Sequence, residues 1–396
     1  MRVSTVSRLE EVPAEDWNAL VGENNPFIEH AFLSLLETSG SVGWEAGWEP
    51  THVLVWEGEK LVGAAPTYLK DNSYGEYIFD WSWASASQRL GLPYYPKLTI
   101  AVPFTPATGP RLLVHPDADK EAVWKKLVAG LRELMKASGA WNLHILFCLE
   151  EEAEFLEKQG LIRRATHQFH WRNDGYKDFG HFLKAMRSQA RKQVRRERRR
   201  VSEYGIDIEI LQGEQVTEED WKTLYRLYMS TSARKWGTPY LTRAFFEDAH
   251  YALGATPFVV FARERGEVVA GTLSFIKGDH LYGRYWGSFA RFEGLHFELC
   301  YYQLVEYAIE NGLSLVEAGA QGHHKLKRGF LPVVTHSAHD FKHSALHDAF
   351  DRICKAEQEY TIEDITSAQC QGPFREDGIP DYPPSAGIPL PCFREK

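Results

Sequence analysis

The sequence predicts an α/β (α+β) fold built twice, each copy a mixed sheet with helices on its faces. Three observations predict it. First, residues 51–70 (THVLVWEGEKLVGAAPTYLK) and 257–277 (PFVVFARERGEVVAGTLSFIK) repeat one pattern. Each is an apolar run, a Gly-Glu turn (Gly58-Glu59; Gly266-Glu267) and a second apolar run carrying Gly63 or Gly271. That is a β-hairpin signature, with the turns as punctuation. Second, a helical pattern, a stop glycine and a short strand follow one another in each half. Third, Gly160/Gly329, His167/His336 and His170/His339 are each 169 apart in the numbering (329 minus 160, for example). A series of matches in the same order is the mark of duplication.

The elements follow in order. Asp119–Ser138 places Val123, Leu127, Leu131 and Leu134 at helical spacing, Gly139 stops it as a C-cap glycine does, and a strand runs Trp141–Phe147. In the second half the helix is Phe297–Glu310, the stop Gly312 and the strand Leu313–Ala318. A short helical piece ending in glycine comes next: FLEKQGL at 155–161 and HKLKRGF at 324–330. Each copy thus runs helix, hairpin strands, helix, strand, helix, strand, which gives a mixed sheet covered by helices. The expected division is 1–172, then 173–365 including a basic helix at 182–204, then a Pro-rich tail at 366–396 without helical period.

Composition narrows the class. The 396 residues carry a net charge of −9, unevenly spread. Lys184–Arg200 holds nine Lys or Arg against one Glu, a local +8, which leaves −17 elsewhere (−9 minus 8). An acidic body with one basic segment is unlike a generally basic nucleic-acid binder. The five cysteines are scattered without a CxxC pair, so neither a disulfide framework nor a zinc ribbon is expected. No apolar stretch approaches a membrane span, and the N-terminal residues form no signal-peptide core. A cytoplasmic location is the expectation.

The order of elements resembles the GNAT (acyl-CoA N-acyltransferase) fold. The tandem pair with its basic helical segment resembles the Fem-type arrangement, and the chain is similar to the FemAB-like, or predicted N-acyltransferase, family. The resemblance rests on NPFIEHAFL (25–33), PFTPATGPRLL (103–113), FLKAMRSQARKQVRRERRRV (182–201), LYGRYWGS (281–288), LHFELCYYQ (295–303) and EAGAQGHHKLKRGFLP (317–332). Fem-type transferases add amino acids to peptidoglycan precursors. The resemblance therefore implies transfer of an acyl or aminoacyl group to an amine acceptor, a small molecule or a peptidoglycan precursor. It implies an aminoacyl-tRNA donor ahead of acetyl-CoA. The Gly-rich pyrophosphate loop of acetyl-CoA enzymes is missing at Ser288–Phe297. No further cofactor is expected.

Such a reaction needs a base for the amine proton, donors for the oxyanion and a groove for the acyl donor. The densest polar cluster is Glu317 to Phe330, after a strand end, where open α/β sheets place ligands. Glu317, Gln321, His324 and Lys325 are the catalytic candidates there, with Glu298 from the preceding helix start. The base is open among His324, His323, Glu298 and Glu317, while Lys325 or Arg328 balances the oxyanion and Gln321 orients the carbonyl. Gly322, His323, Arg328, His296, Tyr301, Tyr302 and Gln303 are substrate-binding candidates. So are Arg284, Tyr285 and Trp286, where strand alternation puts Arg284 and Trp286 on one face. A solvated loop and an aromatic core are the competing readings. In the first half His144 stands where Glu317 stands, and the Gly-His-His-Lys element is missing, so that copy is expected to scaffold or bind.

Arg187, Arg191 and Arg195 lie four apart, and Lys184 and Arg198 extend the row. With Lys192 and Arg196 they make a cationic stripe suited to tRNA phosphates, or else a solvated arm paired with the acidic body. His336, His339, His343 and His347 lack partner ligands at metal spacing, and no metal site is expected. Two rival functions stand beside the transferase. One is a non-catalytic module binding a peptidoglycan precursor or RNA on a transferase fold. The other is an acetyl-CoA-dependent N-acetyltransferase.

Overall fold

A computed structural model describes residues 1–234, 239–319 and 322–375. The chain forms two compact units. The first gathers residues 1–166, 240–245 and 335–361, and the second 167–239, 246–334 and 362 onward. The strand Ile162–Arg172 thus carries the chain out of the first unit, and Leu331–Phe341 carries it back.

In the first unit an antiparallel sheet is made by Arg2–Val6, His52–Glu57, Lys60–Ala65 and Leu113–Val114. A second set of strands runs Glu49–Pro50, Thr67–Lys70, Lys97–Ile100, Asn142–Cys148 and the later part of Leu331–Phe341. The helix Lys120–Ala137 buries Val123, Leu127 and Leu131 against Val53, Val55 and Leu143. Asp119 caps it by accepting the Ala122 N–H, which satisfies one of the first-turn donors.

In the second unit the strand order is Ile206–Gln212, Pro257–Glu264, Glu267–Lys277, His280–Ser288, Leu315–Glu317 and the later part of Ile162–Arg172. The helix Glu218–Arg234 lies on this sheet, and the Thr231 hydroxyl donates to the Trp286 carbonyl at 2.6 Å. The two glycines that echo in sequence share a packing reason. A Cβ on Gly63 would stand 2.3 Å from Val123 Cγ1, and one on Gly271 would stand 2.6 Å from Phe261 Cδ1. Both separations are far inside van der Waals contact.

The hairpins and the helix–glycine–strand echo lie where the sequence puts them. The closing strands are exchanged. In the second unit His170 lies opposite Glu317, and in the first His339 lies opposite His144. The strand that ends the first sequence repeat therefore pairs inside the second unit, and the last strand of the second repeat pairs inside the first. The units part within these strands and not at 172–173, because period-two patterning says nothing about which neighbour a strand takes.

Two expectations are corrected. The basic segment is not one helix over 182–204: Phe179–Ala185 and Ser188–Glu203 are separate helices, with Met186 extended between them. Met186 is fully buried in the core, and the Arg187 N–H bonds the Pro373 carbonyl, which fixes the break. The tail does not leave the fold at Thr366. The helix Ser344–Cys370 continues through it, and Phe374 is buried against Phe182. Residues 376–396 lie outside the described residues.

Candidate functional site

The site begins with two parallel strands of unequal length. His280–Ser288 and Leu315–Glu317 pair only through His280/Leu315, Leu281/Val316 and Tyr282/Glu317. The shorter strand ends at Glu317 while the longer runs on, so the sheet opens there. The register against Glu267–Lys277 shifts at Leu273/Ser274, passing from Tyr285 to Gly283 and leaving Arg284 as the extra residue. This bulge breaks the alternation expected for Arg284, Tyr285 and Trp286. Tyr285 packs edge-on to Tyr228 at 5.3 Å, and the Arg284 guanidinium lies 5.3 Å from the Tyr285 ring centre.

Glu317 is buried, with an Oε2 3.8 Å from His170 Nε2. That is beyond hydrogen-bond reach. Burial first, then Arg172 and Lys325, holds His170 down to about 3, so its ring is neutral at pH 7. After Glu317 the chain turns through Gly319 (φ +77°) and Gly322 (φ +119°) into a 3₁₀ turn, His323–Arg328, closed by Gly329 in the left-handed region. These φ values favour glycine. At Gly322 a Cβ would also fall 2.4 Å from the His324 ring.

The turn delivers Lys325 inward. Its side chain is buried, and Nζ donates to the Gly319 carbonyl at 2.6 Å. Desolvation lowers its pKa to about 7, against a small upward pull from Cys300. A lysine in this state is half uncharged at neutral pH and has a lone pair to offer. His324 remains exposed at the surface, with Nε2 2.9 Å from the Tyr301 hydroxyl. Its pKa is lowered by partial desolvation, then by Arg328 and Lys325.

Tyr301 comes from a wide π turn, Glu298–Tyr302, inserted between Leu295–Phe297 and the helix Gln303–Glu310. Such insertions re-aim side chains and recur at functional sites. His296 lies edge-on to Trp286 at 5.2 Å and to Tyr301 at 5.6 Å, and its ring centre is 6.2 Å from that of His324. His296, Trp286, Tyr301 and His324 thus form an aromatic wall.

Other candidates belong to a different cluster. Glu298 is buried and accepts from Arg198 Nε at 3.1 Å and from Gln303 Nε2 at 2.7 Å. Arg198 also binds Glu306 at 2.6 Å. The Tyr302 hydroxyl donates to Glu197, which also receives Arg328 Nη2 at 2.8 Å. Arg328 donates to the His324 carbonyl at 2.7 Å and sits 3.3 Å from the Phe297 ring centre. Glu298, Tyr302, Gln303 and Arg328 therefore anchor the helix Ser188–Glu203 to the turn that carries Lys325. Arg198, expected on the cationic stripe, faces inward in this anchor. Lys184 lies on the preceding helix and leaves the row. Gln321 and the side chain of His323 lie outside the described residues.

The outward side of that helix keeps its charge. Arg191, Lys192, Arg195 and Arg196 make no ion pair among the described residues, while Arg187 donates to the Cys370 carbonyl at 3.1 Å. Among the described residues no three His, Cys, Asp or Glu side chains are placed to hold a metal ion, and no helix is long and apolar enough to cross a membrane. Sequence reasoning missed His170, Glu197 and Phe297 as members of the site. His170 was visible only as a repeat marker, because its contact with Glu317 depends on the strand exchange.

Duplicated mixed sheets with a basic helix against the second make a tandem GNAT-like fold of the Fem arrangement. A family profile described as FemAB-like, peptidoglycan biosynthesis/recognition, matches residues 8–376. The chain belongs to the FemAB-like family. The structure is similar to that of FemX, with a TM-score of 0.52 and 11% identity over 89% of this chain and 100% of that one. It is also similar to the C-terminal domain of a putative lysylphosphatidylglycerol synthetase from Agrobacterium fabrum, with a TM-score of 0.51 and 10% identity over 86% of this chain and 95% of that one. No curated protein matches the chain.

Proposed function

We propose that this protein transfers an acyl or aminoacyl group to an amine at the strand end of its second unit. Lys325 carries the reading: its amine is buried beside the sheet opening and gives up its proton near neutral pH. The acceptor nitrogen attacks the carbonyl carbon of an ester-linked acyl group. The carbonyl becomes a tetrahedral oxyanion and then reforms as the bond to the donor oxygen breaks. Lys325 takes the proton from the attacking nitrogen and returns it to the leaving oxygen, so the transfer balances without another reagent. Once protonated, Lys325 also faces the oxyanion with a positive charge. Glu317 supplies acceptor oxygens for the incoming N–H groups, and the wall of His296, Trp286 and Tyr301 excludes water.

The geometry favours Lys325 over His324 as base. When the Tyr301 hydroxyl donates to His324 Nε2, that nitrogen's lone pair is occupied and the ring proton sits on Nδ1. The donor in this reading is aminoacyl-tRNA, whose phosphates meet Arg187, Arg191, Lys192, Arg195 and Arg196. The acceptor is an amine of a peptidoglycan precursor, in keeping with the family, and the reaction is cytoplasmic. The test is to incubate the full chain with mixed aminoacyl-tRNAs and a nucleotide-linked muramyl peptide, then look for a new amide by mass spectrometry. Product that disappears in Lys325→Met supports the reading. A precursor that binds but returns unchanged overturns it in favour of a non-catalytic binding module.

A further inference from the structure

The first unit carries exposed aromatic side chains on two neighbouring segments, one a loop before Trp48 and the other a loop that runs into the helix Trp81–Arg89. Trp44 is 72% exposed, Tyr74 63%, Phe79 49% and Trp81 40%. Solvated aromatics of this size are costly and mark contact surfaces when they cluster. The loops that bear them are braced from beneath. Lys70 is buried, donates to the Gly47 and Tyr74 carbonyls at 3.2 Å each, and stands 3.5 Å from the Trp48 ring centre. The Trp48 indole also donates to the Tyr74 carbonyl, at 3.1 Å. Asn72 accepts the Tyr74 N–H at 2.9 Å. Tyr74 and Trp81 meet edge-on at 5.0 Å. The backbone of both segments and the Tyr74–Trp81 pair are therefore held in place before any partner arrives, which lowers the entropy cost of binding one.

Charge decides what that partner is. Residues 43–50 and 70–81 carry five carboxylates (Glu45, Glu49, Asp71, Glu76, Asp80) and Lys70 as their one cation. Glu76 and Asp80 are buried with Lys97, at 2.8 and 2.5 Å. Glu45 and Asp71 remain exposed. Arg164, which donates to the Phe79 carbonyl, is paired with Glu357 at 2.9 Å. A surface with exposed aromatics and exposed carboxylates repels phosphates and anionic lipid headgroups. It suits uncharged pyranose rings, whose flat C–H faces stack on aromatics and whose hydroxyls donate to carboxylates.

We propose that Trp44, Tyr74 and Trp81, with Asp71 and Glu45 beside them, form a binding platform for a neutral glycan. This surface is independent of the transfer site. The probe is chitotetraose, a neutral β-linked oligosaccharide, added to the full chain and followed by calorimetry and by saturation-transfer NMR. Binding is expected with a Kd in the range of about 0.1–1 mM. Trp44→Ala and Tyr74→Ala, both on solvated positions that leave the thermal midpoint unchanged, are expected to raise that Kd at least about fivefold, with Trp44→Phe recovering part of the loss. Three results overturn the proposal. One is no binding of chitotetraose at about 5 mM. Another is binding that both alanine variants leave intact. The third is binding to phosphatidylglycerol vesicles that the same variants abolish.

Discussion

Two positions in this protein, each five residues after a helix-stop glycine (Gly139 and Gly312), correspond to one another and hold different chemistry. In the first unit His144 faces His339 across the exchanged strand, and in the second Glu317 faces His170. The first-unit pair is a closed chain. The Asn142 amide donates to the Tyr94 carbonyl at 2.7 Å, which turns its oxygen toward His144 Nε2 at 2.6 Å. His144 Nε2 is therefore the protonated nitrogen, and Nδ1 accepts from His339 Nδ1 at 2.6 Å. His339 Nε2 then accepts from the Ser337 hydroxyl at 2.9 Å. Burial drives both rings well below their ordinary pKa, His144 to about 3. Donors and acceptors along this chain are used up, and Trp83 packs over it. The second unit has a carboxylate in place of one imidazole, two left-handed glycines after it and a lysine that titrates near neutrality. Duplication gives two corresponding positions; one carries a neutral hydrogen-bonded network, and the other a buried carboxylate followed by a buried lysine.

The largest expected effect comes from removing the amine that makes the difference. Lys325→Met should lower the transfer rate by about 10³-fold, or roughly 4 kcal/mol of transition-state stabilisation. In the unaltered protein the rate should rise with pH through about 7 as Lys325 loses its proton. Stability gives an independent check on the same group. A lysine lowered from 10.5 to about 7 binds fewer protons folded than unfolded in that interval, so stability rises with pH between those values. Lys70, also lowered to about 7, adds a slope of the same sign. Denaturant titrations of Lys325→Met should show a shallower rise over this window. A variant that keeps both the rate and the slope removes Lys325 from the comparison.

The converse change belongs to the first unit. His144→Ala leaves His339 and Asn142 with buried, unpaired groups and opens a cavity. It should destabilise the protein by about 3 kcal/mol. The transfer rate per folded molecule should stay within about twofold, since no group of the reaction is lost. A large rate loss at unchanged stability would mean that the His144 position takes part in the chemistry.

Much of this contrast is legible in the sequence. Gly58, Gly63, Gly139 and their counterparts Gly266, Gly271 and Gly312 mark turns, close approaches and helix stops, which are local demands that a residue type reveals. The correspondence of His144 with Glu317 also follows from counting along the chain. Partner choice does not. The pairing of His170 with Glu317 arises because closing strands are exchanged, and no periodicity encodes that. The state of Lys325 is equally hidden. Its neighbours Lys327 and Arg328 look just as cationic in the sequence, but one is solvent-exposed and the other is tied to Glu197, whereas Lys325 is buried and burial lowers its pKa. The spacing that makes the basic stripe does not say which of its members turn inward: Arg198 anchors the helix to Glu298 and Glu306, while Arg195 and Arg196 are exposed.

Those outward cations give the next test. Arg191→Glu combined with Arg195→Glu should weaken tRNA binding by about tenfold or more at moderate salt, and each lost phosphate contact should flatten the salt dependence by about 0.7–0.9 in slope. The thermal midpoint should hold, because neither side chain forms an ion pair among the described residues. The transfer rate at saturating donor should also hold, which separates this binding defect from the Lys325 defect. Affinity that ignores both salt and the charge reversal would remove RNA from the account.

The smallest effect is expected at Tyr301, and it ranks the two candidate bases. Its hydroxyl meets His324 Nε2 at 2.9 Å and is itself kept protonated, its pKa raised by burial. Tyr301→Phe deletes that donor while keeping the ring against Phe330. The lost hydrogen bond costs about 1 kcal/mol of stability. If Lys325 is the base, His324 is a wall residue, and the rate should change by less than about threefold with the pH midpoint still near 7. If His324 is the base, freeing its Nε2 lone pair alters the group that titrates in the reaction, and the midpoint must move. His324→Ala completes the pair: a modest loss with an unmoved midpoint agrees with Lys325, whereas loss of the titration itself transfers the role to His324. Measured together on folded protein, the two variants decide which nitrogen above the Glu317 strand end takes the proton.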